Sequence, residues 1–210
     1  MLDFTEYTKI FISLFAILDP IGIIPIIILF TAGMTASKRA HAGRLASLTV
    51  CAILLVALLI GQPLLAFFGI SISSFRVAGG ILLLLMAIKM LLGSFYESAL
   101  GKDEGADGEG VSENAIVPLS TPLLAGPGSI SAVIVEAHKA NGFEHYLIMS
   151  VEILLLSLTV WLTFLIAPWV AQRLGKIGIN VFTRLMGLIL AAIAVEFIAS
   201  GMRGLFPALG

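Results

Sequence analysis

The stretch Leu18-Asp19-Pro20-Ile21-Gly22 interrupts a long apolar run that extends from Tyr7 to Thr31. An acid followed by proline and glycine breaks a helix, and at bilayer depth the break exposes backbone groups that lipid cannot satisfy. A similar break stands at Ala125-Gly126-Pro127-Gly128-Ser129. Such breaks persist in a membrane only where they line a cavity or are buried in protein, and one in each half of a chain indicates a transport site.

The composition is that of an integral membrane protein. Hydrophobic residues make up 59% of the 210 residues and charged residues 12%, against roughly 25% charged in an ordinary soluble domain. The net charge of −1 gives no basic surface for nucleic acid, and the single Cys51 excludes a disulfide framework. The amino terminus is acidic where a secretory signal is basic, so we expect the first apolar run to be a true span.

Six apolar runs are each near or above the roughly 20 residues that a helix needs to cross the hydrocarbon core. They are Tyr7–Thr31, Ala42–Phe68, Phe75–Tyr96, Asn114–Ala137, Tyr146–Val170 and Val181–Met202. A polar, glycine-rich loop at 98–113 has no means of packing and divides the chain into halves 1–97 and 114–210. The sequence predicts an all-α membrane protein of six transmembrane helices in one transport domain, with the first and fourth helices broken near the midplane.

The two halves are related by a constant offset of 107 residues. This offset matches Pro20 to Pro127, Phe75 to Phe182 and Gly80 to Gly187. Because each half has three spans, the second half must enter the membrane from the opposite side. The chain is therefore predicted to be a pair of inverted three-helix repeats, as in secondary carriers.

Lysine and arginine in the short loops predict the orientation. With the amino terminus outside, seven of these residues lie in inner loops and four in outer loops. The inner set is Lys38, Arg39, Arg44, Lys102, Arg173, Lys176 and Arg184, and the outer set is Lys9, Arg76, Lys139 and Arg203. Both termini are therefore expected outside.

Asp19-Pro20 and Gly126-Pro127 each have the pattern of a half-helix start, since Asp and Gly are favoured caps and proline suits the first helical position. By inverted symmetry the two starts should face each other and present free N–H groups to a carboxylate. Gly22 and Gly128 would let the backbone approach a ligand closely. The alternative is a pair of proline kinks in tightly packed helices.

Four stretches carry a family resemblance. They are Asp19-Pro20-Ile21-Gly22-Ile23-Ile24-Pro25, Phe75-Arg76-Val77-Ala78-Gly79-Gly80-Ile81, Pro118-Leu119-Ser120-Thr121-Pro122-Leu123-Leu124-Ala125-Gly126-Pro127-Gly128-Ser129-Ile130 and Arg184-Leu185-Met186-Gly187-Leu188. In these the chain resembles the MarC family, also called the small neutral amino acid transporter family, along nearly its whole length. The resemblance implies a six-span inner-membrane protein related to amino acid carriers and exporters, some of which move glycine and alanine. Ile23 stands where relatives often have asparagine.

The predicted substrate-binding residues lie at or near the two breaks. They are Asp19, Pro20, Gly22, Ile23, Thr121, Gly126, Pro127, Gly128 and Ser129. Isoleucine, glycine and proline offer no partner to a charged side chain, whereas the helix ends suit the carboxylate of an amino acid. We expect a small neutral amino acid such as alanine or glycine as substrate, no cofactor, and H⁺ or Na⁺ as candidate coupling ions. Asp19 could cap the half-helix, bind the substrate ammonium or carry the coupling cation, and uptake and export both stay open.

A second group of residues is predicted to serve gating or packing. Arg76 and Arg184 open the third and sixth spans at opposite faces, either as interfacial anchors or in a gating or substrate-attracting role. Gly79, Gly80 and Gly187 should let helices approach closely in lipid.

The remaining charged residues and the histidines are expected at the membrane surface, in solvent or in loops rather than in a functional site. Lys89 and Glu196 are expected to reach the membrane surface rather than pair with each other, and Glu136 and Glu152 to be solvated. His41, His138 and His145 are expected in loops, without metal-ligand spacing. An enzyme is disfavoured because no histidine lies in a predicted span and Asp19 has no acidic partner. A channel or an exporter for another small solute is the alternative function.

Overall fold

The computed structural model describes residues 2–24, 27–28, 31, 34–93, 125–139 and 142–206, and all regular structure within these residues is helical. The first four helices are Phe4–Leu18 (α1), Ala36–Phe67 (α2), Ile72–Leu92 (α3) and Pro127–Ala137 (α4). The helical residues Phe143–Leu205 divide at Gly175, whose φ of 62° and ψ of 179° are not helical. The two apolar helices on either side are Phe143–Val170 (α5) and Ile177–Leu205 (α6).

Four helices, α2, α3, α5 and α6, are long and apolar enough to cross a membrane. They carry exposed large apolar side chains, among them Leu59, Leu85, Leu154 and Leu188, and in a bilayer these would face lipid. The predicted first and fourth spans correspond in part to the shorter helices α1, of 15 residues, and α4, of 11. Residues 114–124 of the fourth predicted span, among them Thr121, and the loop at 98–113 lie outside the described residues.

Some helix boundaries differ from the predicted spans. α2 begins at Ala36, six residues before the predicted start, because the Thr35 side chain accepts a hydrogen bond from the Lys38 N–H at 3.4 Å and caps the helix. This first turn is polar, so hydropathy does not mark it. α5 likewise begins at Phe143 rather than Tyr146.

α3 and α6 pack against each other in antiparallel directions. Near the start of α3, Arg76 Nη1 donates to Ser200 Oγ near the end of α6, at 2.6 Å. Near the start of α6, Gly187 lies against Ala87 and Met90 in the last turns of α3. The two helices are therefore in contact from one end of the bundle to the other.

α2 and α5 also pack in antiparallel directions. The Arg44 guanidinium of α2 lies 5.8 Å from the ring centroid of Trp161 near the end of α5. At the other end of the pair, the Tyr146 hydroxyl donates to Gln62 Oε1 at 3.3 Å. Between them, Ser47 Oγ donates to the carbonyl oxygen of Ser157.

α4 lies at the centre of the bundle. Every residue from Ser131 to Ala137 is buried, and the helix contacts α1, α2, α3 and the segment 143–205. α1 runs antiparallel to it, with Glu6 and Lys139 beside one cavity at one end and Ile17 close to Gly128 at the other. The two breaks of the sequence are thus brought to the interior side by side.

Candidate functional site

The first break is built around Asp19. α1 ends at Leu18, and Asp19 follows in the left-handed conformation, with φ 44° and ψ 60°, while its N–H donates to the Phe15 carbonyl at 2.9 Å. The side chain is 2% exposed, and its Oδ1 accepts a hydrogen bond from the Gly22 N–H at 3.0 Å. Asp19 therefore ends one helix and caps the turn that follows. Oδ2 has no hydrogen-bond partner among the residues that the structure describes.

Glycine is required three residues after Asp19. A Cβ added to Gly22 would overlap the Asp19 carboxylate, so the cap exists only because position 22 has no side chain. Residues 20–23 form turns, and helical bonding resumes with the Ile27 N–H donating to the Ile23 carbonyl at 3.0 Å. Ile23 is buried beside the capped turn.

The second break is the start of α4. Gly126 is its N-cap residue, with φ −60° and ψ 168°, and Pro127 is the first helical residue. Ser129 is 4% exposed, and its Oγ donates to the Gly126 carbonyl at 3.0 Å. The N–H groups of Gly128 and Ser129 belong to the first helical turn and have no intrahelical acceptor. Gly126, Gly128 and Ser129 are buried, whereas Pro127 is exposed.

Gly128 has a packing role that the sequence did not reveal. A Cβ added there would overlap the side chain of Leu83 on α3 and would lie 3.9 Å from Ile17 Cγ2 on α1. The space left by the missing side chain is therefore filled by Leu83 rather than open to a ligand. Ile17, in the last turn of α1 and two residues before Asp19, is therefore close to the second break.

The residues predicted for gating or packing separate into two kinds. Gly79 and Gly80 on α3 face Ser131 and Ala194, and Gly187 faces Ala87, so all three permit close helix contacts. Arg76 is half-buried and bonded to Ser200, whereas Arg184 is exposed.

A polar cavity of about 290 Å³ opens where α1 and α3 begin and where α4 and α6 end. Its charged lining residues are Glu6, Lys9, Arg76, Glu136, Lys139 and Glu196. The break residues are not part of its wall. Along α1 the wall reaches Ser13, which lies about 9 Å of helical rise before Asp19.

The expectation that all three histidines lie in loops is wrong for His145 and His41. His145 is in the first turn of α5 and 1% exposed, and His41 lies in α2. Tyr7 Oη lies 3.0 Å from His145 Nδ1, and His145 Nε2 lies 3.2 Å from the Glu136 carbonyl oxygen. Because a carbonyl can only accept, Nε2 carries the proton and Nδ1 accepts from Tyr7. Both ring nitrogens are engaged, so His145 joins α1, α4 and α5 and offers no free base.

The expectation that Glu136 and Glu152 are solvated is also wrong, since they are 5% and 7% exposed. Glu136 Oε2 lies 2.7 Å from Lys139 Nζ, while Glu152 Oε2 has no hydrogen-bond partner within the described part of the chain. The missed signal is spacing: His145 and Glu152 fall on the same face of α5 as the buried Met149 and Leu156. Glu196 is 73% exposed at its side chain and pairs with Arg203 at 3.1 Å rather than with Lys89.

No group of three His, Cys, Asp or Glu side chains among the described residues is arranged to hold a metal ion.

Comparison with known proteins gives matches along nearly the whole chain. The model of the family described as MarC family integral membrane protein matches residues 4–206. The chain is 42% identical over 207 residues to UPF0056 membrane protein YhcE of Escherichia coli (strain K12), covering 99% of this chain and 96% of that protein. It is 40% identical over 203 residues to UPF0056 membrane protein MJ1677 of Methanocaldococcus jannaschii, covering 97% and 98%. It is 36% identical over 207 residues to UPF0056 membrane protein YvbG of Bacillus subtilis (strain 168), covering 98% of each. No solved structure matches the chain significantly.

Proposed function

The chain belongs to the MarC family of multi-pass integral membrane proteins, and from that premise we propose that it is a secondary transporter of small neutral amino acids. The observation that carries the proposal is the carboxylate of Asp19, buried at a helix break beside the start of α4, with Oδ2 lacking a partner among the described residues. Such a group is costly to bury unless a ligand completes its bonding. Intramembrane acids of this kind are functional candidates by default.

The two breaks offer complementary chemistry to a zwitterion. The N–H groups of Gly128 and Ser129 sit at the positive end of α4 and suit a carboxylate. Asp19 Oδ2 suits an ammonium group or a coupling H⁺ or Na⁺, because Oδ1 is already held by Gly22. Ile23 and Leu83 are buried nearby and offer no partner to a charged substrate side chain. Alanine and glycine fit these requirements best.

The helix packing supports an inverted-repeat architecture. α1 packs beside α4, α2 beside α5 and α3 beside α6, so each helix lies antiparallel to its counterpart in the other half. The contact between α3 and α6 is reciprocal: Gly80 faces the carbonyl of Ala194, and Gly187 faces the carbonyl of Ala87. The 107-residue offset relates Gly80 to Gly187 and Ala87 to Ala194, so the two contacts are equivalent under the repeat. Reciprocity of this kind is the mark of two-fold symmetry, and we infer six spans in two inverted repeats, with α1 and α4 as parts of discontinuous helices.

We place the protein in the cell inner membrane with both termini outside, on the distribution of lysine and arginine. A channel for a small solute is the second candidate, because facing half-helices and a charged cavity at one end also suit a pore.

Counterflow separates the two candidates. Purified protein in liposomes preloaded with unlabelled L-alanine should accumulate labelled L-alanine transiently, since a carrier exchanges substrate across the membrane and a pore does not. A panel of labelled amino acids, with and without a pH or sodium gradient, should show preference for alanine and glycine. Rapid equilibration without overshoot would favour the channel, and absence of flux for every small neutral amino acid would refute the proposed substrate.

A further inference from the structure

The polar cavity contains one cation, Arg76, that has no carboxylate partner within the described ranges. The three acids of the wall each pair with a basic residue three or seven positions further along the chain: Glu6 with Lys9 at 2.7 Å, Glu136 with Lys139 at 2.7 Å and Glu196 with Arg203 at 3.1 Å. Arg203 is not part of the wall, which itself carries three acids and three bases. Arg76 is the base of the wall that is left without an ion-pair partner within the described ranges.

The guanidinium of Arg76 is held in place but not fully bonded. Its Nη1 donates to Ser200 Oγ at 2.6 Å, which anchors the group across the contact between α3 and α6. Its Nε is shielded from water and has no acceptor among the described residues. A shielded donor without an acceptor is unfavourable, and an arginine edge bonds a carboxylate through two parallel N–H groups. Ser200 thus fixes one corner of the guanidinium, and because Nε is shielded, an anion in the cavity would meet the terminal Nη1 and Nη2 groups.

We propose that the polar cavity is a carboxylate-binding entry site, separate from the two breaks, in which Arg76 binds the carboxylate of a small amino acid. The choice of an amino acid rests on the function proposed above, whereas the carboxylate site rests on Arg76 and its surroundings alone. A monoanion suits the wall better than phosphate, because Arg76 is a single cation without an ion-pair partner and the rest of the wall adds no further unpaired positive charge. The volume of about 290 Å³ equals that of roughly ten water molecules, enough for alanine.

The position of the cavity suits an outer binding site from which substrate moves on to Asp19. Its wall follows α1 from Glu6 to Ser13, and Asp19 lies about 9 Å of helical rise beyond Ser13. On α4 the wall of the cavity includes Glu136, which lies at the opposite end of that helix from Gly126. A ligand held at Arg76 is therefore on the side of the bundle where α1 begins.

Propionate, which has a carboxylate but no ammonium group, is the probe, and the dependence of its binding on Arg76 distinguishes this site from the first-turn N–H groups of α4. Calorimetric titration of the purified full chain should show propionate binding to the parent protein. Arg76→Gln should weaken that binding tenfold or more. Arg76→Lys keeps the charge but not the two-pronged edge, and Ser200→Ala keeps the arginine but not its anchor, so both should give smaller losses. The control is Arg44→Gln, which removes an exposed arginine far from the cavity and should bind propionate as the parent does.

The outcomes separate this inference from the proposed function. If no amino acid is transported but propionate binding still depends on Arg76, the entry site stands and the proposed substrate fails. If alanine is transported while propionate does not bind, or binds equally well to Arg76→Gln, the entry site is refuted. Equal binding of inorganic phosphate would overturn the assignment to a carboxylate. If Arg76→Gln does not fold, the propionate affinity of Ser200→Ala tests the inference instead. Weaker binding than in the parent supports the entry site, and unchanged binding refutes it.

Discussion

The N–H of Gly22 donates to Oδ1 of Asp19 at 3.0 Å, and any side chain on Gly22 would occupy the place of that same carboxylate. The two residues are therefore interdependent, since the acid caps the turn and the glycine leaves room for the acid. The arrangement also holds Asp19 in the left-handed conformation, where its Oδ2 is left without a partner among the described residues.

This interdependence predicts strong coupling between substitutions at the two positions. Gly22→Ala should displace the carboxylate and cost about 0.5–2 kcal/mol of stability, the usual value of a cap. Asp19→Gly should tolerate the left-handed backbone while losing the same cap. The double variant should therefore lose little more stability than the Asp19→Gly single variant, because the cap is already absent there. Denaturant unfolding of the four proteins in detergent measures the cycle, and additive losses would contradict the arrangement.

A second prediction concerns the reciprocal contact between α3 and α6. A Cβ at Gly80 would lie 2.9 Å from the Ala194 carbonyl oxygen and 2.7 Å from Ile198 Cγ1, whereas one at Gly187 would lie no closer than 3.1 Å to its neighbours. Because a backbone carbonyl inside a helix cannot move aside, Gly80→Ala should cost about 1–3 kcal/mol through overpacking. Gly187→Ala should cost less. Thermal unfolding of both variants tests the order, and equal or reversed losses would mean that the helices are not packed as described.

Much of the architecture could be predicted because it depends on local chemistry. The break at Asp19 follows from an acid before proline and a glycine three residues later. Asp19 caps the turn that follows, whereas the expected helix start at Pro20 is not present, because residues 20–23 form turns. The close contacts of Gly79, Gly80 and Gly187 follow from the small size of glycine, whatever the partner. Apolar length was enough to identify α2, α3, α5 and α6 as membrane helices.

The features that could not be predicted depend on partners distant in sequence. Gly128 packs on Leu83, and nothing near either residue in the sequence indicates that contact. His145 is buried because Tyr7, 138 residues earlier, bonds its ring. Its position just after a loop made a solvated site the simpler expectation. The charge pairs of the polar cavity are local in sequence, but their gathering around one cavity requires that the start of α1 and the end of α4 meet, which only the fold establishes.

A third prediction concerns topology. The start of α1 and the end of α6 line the same cavity, so they lie at the same end of the bundle. Reporters fused at the amino terminus and after Gly210 should therefore be found on one side of the membrane, and the lysine and arginine count predicts the outer side. A reporter inserted at Gly105 should be cytoplasmic. Finding the Gly105 and Gly210 reporters on the same side would refute the six-span inverted arrangement.

The last prediction separates the structural role of Asp19 from its charge. Asparagine caps about as well as aspartate and tolerates the left-handed conformation, so Asp19→Asn should insert and unfold like the parent. Asp19→Ala should lose about 0.5–2 kcal/mol from the missing cap and a further 1–2 kcal/mol from the left-handed backbone.

If Oδ2 binds the substrate ammonium or a coupling cation, the well-folded Asn variant should nonetheless lose accumulation of L-alanine driven by a proton or sodium gradient, because an amide group in place of Oδ2 brings no negative charge. Counterflow and gradient-driven uptake in liposomes measure this, with unfolding of each variant as the control for structure. Unchanged uptake by Asp19→Asn would leave Asp19 as a cap alone, and the first-turn N–H groups of α4 would then have to account for recognition by themselves.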